Sequence, residues 1–340
     1  MCASIGYVRP DEPALGPRSI TLGCVNFEAV PRDKAATLEK IDRFLAEAAA
    51  RHCDLVIFPE LALNTWGSCP ECSDAHQPCD WHRTQAEAAN GPAGRAVVDM
   101  AAAHGLHVIY GFEERGDADA IFNSVNIVAP DGVVGTYRKL HLGIPLETDR
   151  FTPGDALPVF DTDLGPIGVS TCYDFYQGPE LSRILALKGA RLIVNPTGRA
   201  NLPRAREHLE HVTLVRAHEN LVATASANRV GDRHGPPAWA GGSVIAAPRF
   251  PGFPVTLARA GADEELVTAE LDFAAIAEWY DVLPWREWRA GPQGRVSSLV
   301  ASEFSTLAEA ALSVVRGDGR STPSGGGPRG AEPVVGGHDV

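Results

Sequence analysis

Apolar positions recur along the chain in two alternating rhythms. Residues 33–52 place Leu38, Ile41, Leu45, Ala48 and Ala49 on one face at helical spacing, which predicts an amphipathic helix. Residues 19–25 (SITLGCV) are rich in strand formers. Residues 55–58 (LVIF) are a short apolar run stopped by Pro59, as expected of a buried strand. The alternation continues with a helix over 94–104, a strand over 107–112, and strands over 123–128 and 133–137 joined through Asp131-Gly132. Asp-Gly tolerates the positive φ of a tight hairpin turn. A strand over 167–171, a helix over 179–187, a strand over 190–194, a helix over 208–219 and a strand over 221–227 follow. Strands interleaved with helices predict an α/β fold with buried sheets, and the hairpin predicts that the sheets are not purely parallel.

The two ends break the rhythm. Residues 1–18 show no periodicity and read as an N-terminal arm without the charged-then-apolar order of a signal peptide. Residues 317–340 are rich in Gly, Pro and Ser and read as a disordered tail, and the run Gly325-Gly326-Gly327 within it is no phosphate loop. Residues 19–316 then form one domain. Its last stretch, 299–315, with Leu307, Ala311, Leu312 and Val315, reads as an exchanged arm or a packed helix.

Composition narrows the partners. Of 340 residues, 44% are hydrophobic and 21% charged, as in globular proteins. A net charge of −13 argues against a nucleic-acid or anionic-membrane surface. No apolar run is long enough to span a membrane. Seven cysteines, an odd number, do not make a complete disulfide framework, so a reduced, cytoplasmic protein is expected.

Three reactive side chains stand at the ends of strand-like runs: Glu60, Lys139 and Cys172. Singly, they read as a helix-start carboxylate, a surface lysine and a small core residue. Together they are chemically coherent. A cysteine attacks only as thiolate. A carboxylate can take its proton, and an ammonium can stabilise the oxyanion formed at an attacked carbonyl. Acyl transfer from an amide thus needs no metal, no cofactor and no histidine.

The segments FPELAL (58–63), YRKLHL (137–142) and GVSTCYDFYQGPEL (168–181) are similar to the three motifs of the nitrilase superfamily of carbon–nitrogen hydrolases. The resemblance is collinear, spans roughly residues 20–290, and includes FTPGD (151–155), LALKGARLIVNPT (185–197) and RAHENLVATASANRVG (216–231). It implies a four-layer α-β-β-α sandwich of two mixed sheets with outer helices. It implies Glu60 as general base, Cys172 as nucleophile and Lys139 as oxyanion-stabilising cation, with the Tyr173 N–H as a second oxyanion donor. Glu147 falls where many members carry a further glutamate that positions substrate or assists the base; its other reading is a loop carboxylate paired to Arg150. Cys-Tyr-Asp at 172–174, rather than the Cys-Trp-Glu usual in nitrilases, tilts toward amidase-like branches. The resemblance implies a small linear amide as substrate, with a nitrile or an N-carbamoyl compound as alternatives. A non-catalytic or acyl-transferring relative is a further alternative. It also implies a homodimer or higher homo-oligomer through 179–187 and 208–219.

Other side chains fill out the expected site. Trp66, Phe175 and Tyr176 could form an apolar wall for the acyl group, with ordinary core packing as the other reading. Thr197 is expected to bind substrate, and Arg199, Arg204 or Arg206 could clamp a carboxylate. Cys69, Cys72, Cys79 and His82, with His76 between them, have the ligand types of a structural zinc site; a local disulfide or unligated thiols are the alternatives. His208 and His211 read as a polar helix face before a metal pair, and His141 as a structural histidine facing away from Lys139. Glu219-Asn220 is expected to brace loops near the site.

Overall fold

The computed structural model describes residues 15–64, 80–231, 239–283 and 295–315, together with Asp11. The chain divides into two units, residues 1–284 and 285–340. Each expected rhythm in the first unit becomes an element. Strand β1 (Ser19–Asn26) leads to helix α1 (Lys34–Ala50), whose start is set by Asp33: its side chain accepts the Ala36 N–H. Thr37, Ile41, Leu45 and Ala48 form the buried stripe of α1. β2 (Leu55–Ile57), α2 (Asp80–Gln85) and α3 (Pro92–His104) follow; α3 opens on proline and closes on Gly105 at φ 67°. β3 (His107–Arg115), β4 (Ile121–Ala129) and β5 (Gly132–Arg138) form the expected antiparallel meander, with Gly132 at φ 151° in the hairpin.

The second half begins with α4 (Pro145–Thr148), β6 (Val159–Phe160), β7 (Ile167–Val169), α5 (Tyr173–Tyr176) and α6 (Pro179–Leu187). Next come β8 (Leu192–Thr197), α7 (Ala205–Asn220) and β9 (Ala223–Asn228). The unit ends with β10 (Val244–Ala247), β11 (Val255–Arg259), β12 (Glu265–Asp272) and α8 (Phe273–Val282). In the second unit the described residues form α9 (Arg295–Val315), so the 299–315 stretch is helical as expected.

Two six-stranded sheets result, ordered β12-β1-β2-β3-β4-β5 and β11-β10-β9-β8-β7-β6. β1-β2-β3 and β7-β8-β9 are parallel cores flanked by antiparallel strands, so both sheets are mixed. Alternate residues of both sheets, among them Leu22, Ile57, Ile109, Ile167, Leu192 and Ile245, meet in one apolar layer. The opposite face of the first sheet, through Val56, Val108 and Tyr110, packs on α1 and α3. α6 and α7 lie against β7, β9 and β10 of the second sheet. The architecture is the α-β-β-α sandwich that the motifs imply.

Several expected boundaries move, and three of the shifts have a clear local cause. The strand expected over 167–171 stops at Val169, because the chain turns sharply toward Cys172. The strand expected over 190–194 runs on through Thr197, paired with β9 as far as Asn228. The strand expected from 221 starts at Ala223, since Leu221 sits at φ 49° as the cap of α7.

Candidate active site

The strand ends deliver the three reactive residues to one place. After β2 the chain bends at Pro59-Glu60, with Leu61 at φ 51°. β3 passes so close beneath this bend that a Cβ on Gly111 would lie 2.3 Å from the Leu61 nitrogen. Arg229 pins the bend from the other sheet, its Nη1 donating to the carbonyls of Glu60 at 3.0 Å and Leu61 at 2.8 Å. Lys139 follows β5, its backbone N–H held by the Asn123 carbonyl at 2.9 Å. Cys172 follows β7 at φ 52° and ψ −108°, a conformation that costs energy for a non-glycine residue. The Cys172 N–H donates to Asn195 Oδ1 at 2.8 Å, which ties the bend to β8.

Lys139 lies between two carboxylates. Its Nζ is 2.8 Å from Glu60 Oε1 and also bonds Glu147 Oε1, and all three side chains are essentially without solvent contact. Charges this dry persist only when paired and hydrogen-bonded. Asn123 Nδ2 donates to Glu60 Oε1 at 2.7 Å and reaches Glu147 Oε1 at 3.5 Å. The Gly198 N–H donates to Glu60 Oε2 at 3.0 Å, and the Gly143 N–H to Glu147 Oε2 at 2.7 Å. Glu147 therefore joins Lys139, and Arg150 pairs with Glu113 at 3.1 Å.

The electrostatics join the thiol to this cluster. Burial pushes the Cys172 thiol up to about 12; the charge of Glu60 adds to the rise, and Lys139 and a hydrogen bond from Thr197 oppose it. Burial works against the Lys139 ammonium, but the attraction of Glu60, Glu147 and the ionised form of Cys172 outweighs it and holds Lys139 well above its ordinary value. Glu147 is raised by burial and by the charge of Glu60, against the pull of Lys139. A thiol held this high is not ionised on its own near neutrality, so it needs a base within reach.

The remaining expected residues fall in different places. Thr197 ends β8, and its hydroxyl is 2.8 Å from the Tyr176 hydroxyl and hydrogen-bonds Cys172. The Tyr173 ring stacks on Gly143, where a Cβ would sit 2.2 Å from it. Phe175 is fully buried edge-on to Tyr176, its carbonyl accepting from Arg216 Nε at 3.0 Å. Arg216 also donates to the Tyr176 carbonyl at 3.2 Å and is held by Glu219 at 3.0 Å, so the Glu219-Asn220 pair braces the helix that follows the nucleophile. Trp66, Cys69, Cys72, His76 and Cys79 lie outside the described residues, as does the side chain of His82. Among the described residues no group of three or more His, Cys, Asp or Glu side chains, His208 and His211 included, could hold a metal ion.

Two residues that the motif reading left without a role sit at the centre. Asn123 bonds the same Glu60 oxygen as Lys139. Asp174, fully buried, accepts from the Tyr137 hydroxyl at 2.5 Å, the Leu140 N–H at 3.1 Å and the His141 N–H at 2.7 Å, and pairs with His141 Nδ1 at 2.9 Å. It therefore clamps the Lys139 segment to the Cys172 bend. His141, half-exposed, belongs to this clamp, in keeping with its expected structural role.

Comparisons with known proteins give the chain a family and agree with its fold. Residues 21–281 match the family model described as carbon-nitrogen hydrolase. The chain is 32% identical to a nitrilase of Pyrococcus abyssi over 234 residues, 68% of this chain and 82% of that protein. It is 28% identical to an omega-amidase of Xenopus laevis over 277 residues, 79% of this chain and 94% of that one. Among solved structures, Saccharomyces cerevisiae Nit3, a member of branch 10 of the nitrilase superfamily, superposes with a TM-score of 0.68. It is 24% identical, with 78% of this chain and 95% of that chain covered. A mutant of the amidase from Nesterenkonia AN1 superposes with a TM-score of 0.64 at 22% identity, covering 81% of this chain and 99% of that chain. These two likenesses carry the fold.

Proposed function

The chain belongs to the carbon–nitrogen hydrolase family, and from that premise we propose that it hydrolyses a small linear amide through a thioester on Cys172. Cys172 Sγ bonds to the amide carbon as Glu60 takes the thiol proton. The oxyanion is stabilised by Lys139 and the Tyr173 N–H, the first amide of α5. The C–N bond then breaks, Glu60 passes its proton to the departing nitrogen, and ammonia or an amine leaves. Glu60 next takes a proton from water, which attacks the thioester; the C–S bond breaks, Glu60 returns its proton to the departing Cys172 sulfur, and the acid is released as its carboxylate. Asn123, Lys139 and the Gly198 N–H keep Glu60 aimed through both halves of the cycle.

The observation that carries this reading is the burial of Glu60, Lys139 and Glu147 in one hydrogen-bonded cluster whose charges act directly on the Cys172 thiol. Support by likeness comes from the Nesterenkonia amidase, one mutant of which holds the acetamide moiety of fluoroacetamide covalently at its active-site cysteine. The omega-amidase relatives favour an amide; the nitrilase of Pyrococcus abyssi keeps a nitrile as the second reading. Ammonia release from a panel of linear amides, N-carbamoyl compounds and nitriles tests the choice. Turnover of amides ahead of nitriles is expected, and turnover of nitriles alone would replace the first reading with the second.

A further inference from the structure

The segment that carries Glu147, between β5 and β6, has α4 for its regular structure, and a helix of four residues fixes little by itself. The residues just after α4 supply anchors. The N–H groups of Arg150 and Phe151 both donate to the Glu147 carbonyl, at 3.1 and 2.8 Å, so Glu147 and Arg150 belong to one turn. Phe151 shares an apolar cluster with Leu61, Ile121 and Trp239, and the Thr152 N–H donates to the Ile121 carbonyl at 2.8 Å. Arg150 reaches into the first sheet. Its Nη2 donates to Glu113 Oε1 at 3.1 Å, and both side chains are only 1% exposed.

Glu113 is itself tied to the Glu60 bend. It lies on β3 two residues beyond Gly111, so its side chain leaves the sheet on the face that passes beneath that bend. Its register partner on β4 is Asn123, whose amide holds Glu60 and reaches Glu147, and such cross-strand partners share a face. Asn64, beyond the bend, meets Glu113 twice: the Glu113 N–H donates to Asn64 Oδ1 at 3.0 Å, and Asn64 Nδ2 reaches Glu113 Oε2 at 3.5 Å. The Asn64 N–H donates to the Leu61 carbonyl at 3.0 Å, and its carbonyl accepts from Arg229 Nη1 at 3.3 Å. The Glu113–Arg150 pair thus joins the segment that carries Glu60 to the one that carries Glu147, and it takes no part in the chemistry above.

We propose that Glu113 and Arg150 are positioning residues: their ion pair docks the Glu147 turn onto the Glu60 bend and so sets where Glu147 meets Lys139. This inference rests on the amide-hydrolysis reading and adds two residues to its machinery. A buried pair of opposite charges gains little stability over apolar side chains of the same shape, because desolvation offsets the attraction. What it does supply is one distance and one orientation between its partners. Its two charges cancel at a distance, so the pair acts through the place of Glu147 rather than through a field of its own.

Steady-state kinetics on the best amide substrate, run as a mutant cycle through Glu147, tests it. Arg150→Met alone leaves Glu113 buried without its cation and destabilises the fold. The probe is therefore the double variant Glu113→Gln/Arg150→Met, which removes both charges at similar volume, with its fold checked by circular dichroism and thermal melting. In it kcat should fall about 10- to 100-fold with KM changed by no more than about 3-fold, the loss expected when a catalytic group shifts by about an ångström. In a Glu147→Gln background the same pair of substitutions should cost about 2-fold or less, because the group they position is already gone. Arg150→Lys, which keeps a cation opposite Glu113, should retain more of kcat than the double variant. Wild-type kcat in the folded double variant, or equal losses with and without the Glu147 carboxylate, would overturn the clamp and leave the thioester scheme standing. Full turnover by Cys172→Ala protein would overturn that scheme, and the clamp with it.

Discussion

Between the sheets, Leu22, Ile57, Ile109, Leu192 and Ile245 pack without polar groups among them, whereas beyond the strand ends Glu60, Lys139 and Glu147 are just as dry and joined in one ion cluster. Burial of the first set stabilises the fold by roughly 25 cal/mol per Å² of apolar surface. Burial of the second set is costly, and its Coulomb attraction roughly offsets the desolvation. The apolar layer therefore holds the ionic cluster in place, and the cluster contributes little to holding the fold. A site built this way is rigid before substrate arrives, which suits groups that must meet a developing oxyanion without reorganising.

Substitutions that separate chemistry from stability test this contrast. The largest expected effect is Cys172→Ala: kcat/KM should fall by about 10⁴-fold or more, with the thermal midpoint near that of the wild type. Lys139→Met acts on both properties, since it leaves two carboxylates buried without their cation. Urea unfolding should show a loss of about 3–5 kcal/mol. Glu147 already binds its proton more tightly in the fold than in the unfolded chain, and without Lys139 it binds it more tightly still. The variant should therefore regain stability as pH falls; a loss that does not depend on pH would contradict the buried-charge account.

Leu192→Ala tests the opposite region. It should cost about 2–5 kcal/mol on unfolding, with kcat/KM for the folded protein close to wild type, because the cavity forms away from the ion cluster. Glu147→Gln sharpens the comparison within the site. Glu147 is held above the usual carboxylate range, so the acid limb of the kcat/KM profile should lie above that range too and move to lower pH in the variant. An unmoved limb would show that Glu147 does not govern the cluster. The smallest effect belongs to neither region. Asp272 caps α8 by accepting from Ala274 and Ala275, and Asp272→Ala should lower stability by about 1 kcal/mol with activity retained.

Residues whose placement follows from local rhythm were readable in the sequence. Glu60, Lys139 and Cys172 each end a strand-like run, and a strand end is a place where a sheet can aim a side chain. The sandwich was readable for the same reason, from buried strands interleaved with amphipathic helices. The partners that make the site work were not. Asn123 meets Glu60 from 63 positions away, and Asp174 meets the Lys139 segment from 34 positions away. Asn123 lies in β4 with no feature to separate it from any strand asparagine, and Asp174 stood out only as the residue two after the cysteine. Strands β6 and β10–β12 and helices α2, α4, α5 and α8 have no counterpart in the sequence pattern; β6 has two residues and α4 and α5 four each, too short for a rhythm to show.

The central claim is that one sulfur carries the acyl group. Rapid-quench intact-protein mass spectrometry of a single turnover tests it most directly, with Glu60→Gln used alongside wild type to slow the water step. The account predicts a mass increase equal to the acyl fragment, localised by peptide mapping to Cys172. Turnover at the wild-type rate with no such adduct, or an adduct on another residue, would contradict it.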